Sequence, residues 1–205
     1  MSDPVFGPLI DERDVQHAVR DTITLWIETY LAVVERKIEV DPRTLLLPRS
    51  YVLKDDGTLD KRPEDQIPSV VILCPGTAGD PRMDGEGLYR VPYAVNVAVI
   101  VSAMDEVSTS DLAKFYAAAI RNLLVHNGSL GGFAESTRWR GSRNDELRPE
   151  DDRTMAAGTN VFEVLVPDVV QKGAGLKAPP DEPYEETELP TVTKVDVELE
   201  PEEIA

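Results

Sequence analysis

Covalent catalysis by this chain would centre on Cys74, its one thiol, with His17 or His126 as the base, since these are its only histidines. Cys74 closes the apolar run Ser69–Cys74 (SVVILC), whereas both histidines fall within helical patterns. The pattern therefore predicts a reduced, buried thiol and structural or solvated imidazoles rather than a nucleophile and its base. The Gly-rich stretch from Gly76 to Gly87 (GTAGDPRMDGEG) follows a strand and offers backbone amides, as a phosphate-binding loop would. It lacks a Gly-Lys-Ser/Thr ending and leads into a strand instead of a helix N-terminus, and Asp80, Asp84 and Glu86 would repel an anion. Asp145, Glu146, Glu150, Asp151 and Asp152 supply carboxylates without the ligand spacing or fixed glycine of a calcium loop, which makes a solvated loop the expectation. No catalytic, cofactor or metal site is expected, and the chain does not read as an enzyme.

The residues that remain for function are binding residues. Arg138, Arg140, Arg143, Arg148 and Arg153 crowd one region of a chain that has 38 acidic residues against 21 lysines and arginines. A guanidinium fork suits carboxylates on another surface, and the chain's own C-terminal segment is rich in them, so an intersubunit contact is one reading of this cluster. The alternative is ordinary surface charge.

A strand and a helix form the centre that must position these residues. From Tyr93 the side chains of Val95, Val97, Val99 and Val101 give one apolar face; Ala94, Asn96, Ala98 and Ser102 leave the other small and half polar, interrupted by Ile100. Asn96 and Ser102 mark that second face as a surface for a neighbouring subunit or a lumen, with the sheet covered on one side only. After Ala103, Ser108 and Asp111 resemble a capping box opening a helix whose stripe is Leu112, Phe115, Tyr116, Ala119, Ile120, Leu123 and Leu124, ending at Asn127-Gly128. Asp11 and Asp14 open an earlier helix carrying Val15, Val19, Ile23, Trp26, Ile27, Tyr30, Val34 and Ile38, which ends before Asp41-Pro42. Pro42 to Pro68 predicts extended chain and turns, with a short edge strand or hairpin arm at Ser50–Leu53. Ser69–Cys74 predicts a strand stopping at Pro75-Gly76, Phe133–Arg140 a strand with one polar face, Gly141 to Gly158 a charged loop, and Thr159–Val166 the last strand.

The fold class expected is α+β: a mostly antiparallel sheet of four or slightly more strands, two main helices packed on one face, and an extended acidic C-terminal tail. At 205 residues, 41% hydrophobic, one ordinary domain can bury a sizeable core. Residues 1–170 form that domain, with 42–68 as an insertion or linker. Gln171 to Ala205 holds three lysines against ten acids and reads as a solubilising extension, in which Thr191–Leu199 (TVTKVDVEL) alternates like a strand awaiting an edge. The acidic balance argues against wrapping nucleic acid, though an acidic wall lets DNA pass without sticking. Met1–Ile10 lacks a basic segment followed by an apolar one, and no apolar run approaches the roughly 20 residues that span a bilayer, so a cytosolic protein without a membrane partner is expected.

The element order across about Asp11 to Val170 resembles the tail terminator proteins of long-tailed bacteriophages, members of the head–tail connector group. The resemblance lies in Tyr89–Ala103 followed by Ser108–Gly128, then Phe133–Arg140 and the closing run Ala157–Val166 (AGTNVFEVLV). It carries no short motif, so no binding residue transfers individually. It implies a virion protein of the tail–neck region, assembled in the host cytoplasm. Its subunits would close as a ring, usually of six, that caps the tail tube, ends polymerisation and meets the head connector or stopper protein, with DNA passing through the lumen. The alternatives are a head-completion, stopper or tail tube subunit, or, further off, a non-viral adaptor or an accessory enzyme.

Overall fold

The computed structural model describes residues 9–54, 64–103, 106–147 and 154–171. The chain divides into Met1–Gly175 and Leu176–Ala205; the second unit, with the expected strand at Thr191–Leu199, lies outside the described residues.

Helix α1 spans Glu12–Ile38 and starts where the sequence signals it. The Asp11 side chain accepts from the amides of Arg13 and Asp14, and the Asp14 carboxylate accepts from the Asp11 amide, a reciprocal capping box made with two aspartates. Strand β1 (Ser50–Lys54) runs parallel to β2 (Ser69–Thr77). The other strand pairs among the described residues are antiparallel: β2 and β4 (Leu88–Ala103), β3 (Arg82–Met83) and β4, β4 and β6 (Thr154–Gln171), and β6 and β5 (Ser136–Leu147). Among the described residues the sheet has six strands, ordered β1-β2-β4-β6-β5 with β3 beside β4. Helix α2 spans Glu106–His126.

Both helices pack on one face. Helix α1 lies over β1 and β2, and α2 over β4, β6 and β5. Val15, Val19, Ile23, Ile27 and Leu31 of α1 meet Val70 and Ile72 of β2 and the row Tyr93, Val95, Val97, Val99, Val101 of β4 in one buried core. Tyr116, Ile120, Leu123 and Leu124 of α2 are 1% exposed or less, and each such side chain contributes roughly 1.5–3 kcal/mol relative to an exposed one. At Gly158 of β6 the helix comes so close that an added Cβ would sit 2.6 Å from the Ala113 carbonyl oxygen. Buried Asn160 beside it donates to the Ala117 carbonyl at 2.8 Å and accepts from Ser142 Oγ at 2.6 Å, tying α2, β6 and β5 together.

Several boundaries differ from the sequence expectation. Strand β2 continues past Pro75 through an irregular register between Leu73 and Gly76, so Pro75-Gly76 bends the strand without ending it. The Gly-rich stretch folds back as β3 against β4. Helix α2 begins at Glu106, two residues before the expected Ser108 cap. Gly141–Gly158 is no simple loop: β5 runs to Leu147 and β6 begins at Thr154. The second sheet face is also more apolar than expected, because Val71, Leu73, Ala98, Ile100 and Ala157 form a separate buried cluster there.

Candidate functional site

Cys74 is 5% exposed among core side chains, and burial pushes its thiol up to about 11, with the charges of Glu12 and Asp11 adding to the effect. His126 is exposed at the end of α2, where Nδ1 lies 3.1 Å from the Tyr30 hydroxyl. His17 is half-buried on α1. The two histidines thus sit on the helices and the thiol inside the core. In the Gly-rich hairpin, Asp84 accepts from the amides of Glu86 and Leu88, each at 2.9 Å. Those bonds, Leu88 first, together with nearby Arg90, hold the Asp84 carboxyl below its usual range. A carboxylate already occupies the amides that a phosphate would need. Among the described residues no group of three or more His, Cys, Asp or Glu is placed to hold a metal ion, and no helix is long and apolar enough to cross a membrane.

The arginines are brought together on β5, the edge strand. Arg138 lies opposite Glu163 of β6 and Arg143 opposite Thr159; between them the register slips by one residue at Arg140. This bulge decides the geometry. In a regular strand, the even-numbered Arg138 and Arg140 would share one face and Arg143 the other. The extra residue resets the alternation, so Arg143 returns to the face of Arg138, away from the helices. Arg140 donates from Nε to Glu163 Oε2 at 3.1 Å and from a terminal guanidinium nitrogen to the same oxygen. All three arginines are exposed. Trp139 faces the other way, with the Arg121 guanidinium 5.0 Å from its ring centroid. Arg148 and Arg153 lie outside the described residues.

Asn96 and Ser102 are half-buried on the face away from the helices, and Ser102 Oγ donates to the Thr154 carbonyl at 3.1 Å. They flank Ala98 and Ile100 of the second buried cluster and so do not form a continuous polar strip.

Sequence reasoning missed a cleft of about 510 Å³ between the second half of α1 and the segment Pro42–Leu47. Its walls are mainly apolar, yet Glu28, Arg43 and Glu35 also line it, Glu35 at 5% exposure. Glu35 Oε1 accepts from the Leu45 amide at 2.7 Å. The Tyr116 hydroxyl donates to the Leu46 carbonyl, and its pKa is raised by burial and then by the charge of Glu35. A signal existed: Glu35 falls four residues after Leu31 and next to Val34, inside the apolar stripe of α1.

No protein-family model matches the chain, and no curated protein sequence matches it. Among solved structures the chain is similar to one from the "Virion of native gene transfer agent (GTA) particle", at 17% identity and a TM-score of 0.38, over 65% of this chain and 91% of that chain.

Proposed function

We propose that this chain is a structural subunit of a long-tailed bacteriophage virion. It closes head-to-tail into a ring, of six copies on the resemblance, that caps the tail tube, ends its polymerisation and joins the tail to the head connector. The observation that carries the reading is the row Arg138, Arg140 and Arg143 on an edge strand of a chain with formal net charge −17. An edge strand presents unpaired backbone groups and needs a cover. Cationic side chains along it, on an otherwise acidic molecule, are complementary to other surfaces of the same molecule, which favours contact between unlike patches of two copies. Such heterologous contacts give a ring when the rotation closes. Arg148, Arg153, Asn96 and Ser102 belong to the same proposed contact set. The acidic balance suits a lumen through which DNA slides.

Negative-stain imaging of the purified protein with and without tail tube protein tests this. Rings seated only at tube ends are the expected result. Rings that stack into tubes would make the chain a tube subunit, and monomers that ignore tubes would refute the proposal. The double variant Arg140→Glu, Arg143→Glu is expected to stay folded, with thermal stability lowered by the loss of the Arg140–Glu163 pair, and to lower assembly well beyond that loss.

A further inference from the structure

The cleft beside Glu35 has the chemistry of a receptor. A carboxylate offers about four lone-pair sites, and this one, 5% exposed, accepts a single hydrogen bond among the described residues, from the Leu45 amide. Buried charges are ordinarily paired; Arg43 of the same chain also lines the cleft but makes no ion pair with Glu35 among the described residues, so a cation entering along the largely apolar walls is the group that would complete this one. The walls suit the stem of such a side chain: Leu31 and Leu45 are buried, while Leu46 and Leu47 are 51% and 48% exposed at the mouth. At about 510 Å³ the space falls within the range of roughly 300–1,000 Å³ typical of binding sites.

We infer that this cleft receives a guanidinium from a second copy of the chain, delivered by Arg138 of that copy's β5. The inference rests on the ring proposed above and names the surface that faces the arginine row. Arg138 is exposed and makes no ion pair among the described residues, whereas Arg140 is engaged by Glu163. The placement fits a head-to-tail contact. The cleft is built on α1, which lies over β1 and β2, and on the segment running into β1, while β5 is the opposite edge of the sheet. Donor and receptor therefore sit on opposite sides of one subunit, as closure by rotation requires. The exposed leucines at the mouth are covered by the same contact.

Two measurements test the contact. In the double variant Glu28→Cys, Ser136→Cys, one cysteine stands at the cleft rim and the other two residues from Arg138 on its face, while Cys74 stays buried. A short bis-maleimide should convert this full-length protein into a ladder of covalent multimers. The control pair Asp21→Cys, Ser136→Cys, with Asp21 on another part of α1, should give none. Separately, Glu35→Gln keeps an acceptor for the Leu45 amide, and both it and Arg138→Glu should raise the concentration for half-assembly by roughly tenfold or more, with Arg138→Lys intermediate. Rings by negative stain with no ladder, and midpoints within twofold of the native protein, would overturn this inference and leave the ring standing. A ladder from a protein that never seats on tubes would support the contact and remove the capping role. Neither ladder nor rings would overturn both.

Discussion

Replacing Gly158 by alanine tests the packing of α2 on the sheet with a single methyl group. The backbone of Gly158 does not need glycine's conformational freedom, because its φ lies outside the left-handed range. The penalty is therefore one of space. The new Cβ would sit 2.6 Å from the Ala113 carbonyl oxygen, 2.9 Å from Ala117 Cβ and 3.2 Å from the Ala113 carbonyl carbon. Two of those three atoms are helix backbone, so no side-chain rotation relieves them and α2 must move away from β6. Overpacking a core typically costs about 1–3 kcal/mol, and a rigid obstacle places this case in the upper half. Gly-to-Ala replacement regains about 0.4–1 kcal/mol by restricting the unfolded chain. The expected net loss is about 1–2.6 kcal/mol, read as a shift of the urea midpoint at unchanged slope, or as a fall in Tm of roughly 2–10 °C for a chain of this size. Gly141→Ala is the control, since an added Cβ there meets nothing within 4 Å. If Gly158→Ala were as stable as the native protein while Gly141→Ala was unchanged, the close helix–sheet contact would be wrong.

Thr159 is 1% exposed, and its Oγ1 has no hydrogen-bond partner among the described residues; Thr159→Val should be neutral or stabilise by about 1 kcal/mol. Thr137→Val is the contrast, because Thr137 Oγ1 donates to the Gly128 carbonyl at 2.8 Å, and its loss should destabilise by about 1–3 kcal/mol in the same denaturation assay. Burial raises the acids Cys74 and Tyr93 from 9.0 to about 11 and from 10.0 to about 12, so the folded state keeps protons that the unfolded chain gives up. Their contribution is whole below about pH 9 and lost as pH rises towards 12; denaturant midpoints measured from pH 7 upward should fall over that window, and begin to fall later in Cys74→Ala.

What was legible in the sequence is what local chemistry dictates. The aspartate cap of α1 and the valine row of β4 could be read because cap and alternation act over a few residues and the buried face is built from one residue type. The β5–β6 hairpin was only half legible, for the opposite reason. The first half of β6 reads Ala156, Ala157, Gly158, which looks like loop in sequence but is strand because α2 presses so closely that small residues alone fit. On β5 the polar residues beyond Gly141 are held by pairing with β6, a contact that no local pattern records. The arginines were visible by type, but their common face was not, since it depends on a bulge fixed by that pairing. In sequence Glu35 is a charge among apolar neighbours, and its place in a cleft follows from where residues 42–47 travel after the helix ends.

The bulge itself can be tested by deletion. Trp139 stands opposite Phe162 and Gly141 opposite Val161, so Arg140 is the residue without a ladder position. Removing it joins Trp139 to Gly141 and leaves every other partner where it was, including Arg143 opposite Thr159. The loss is then the Arg140–Glu163 pair, whose side chains are 54% and 17% exposed; such pairs contribute roughly 0–1 kcal/mol. Deleting Ser142 also lets the ladder close, with Arg140 and Gly141 each advancing one place, but it takes away the hydroxyl that donates to Asn160 Oδ1 at 2.6 Å. A buried amide left short of a partner costs about 1–3 kcal/mol. The Ser142 deletion should therefore be the less stable of the two by about 1–2 kcal/mol in urea, although it removes the smaller side chain. If deleting Arg140 unfolded the protein while deleting Ser142 did not, the register of β5 on β6 would be misassigned, and with it the common face of Arg138 and Arg143.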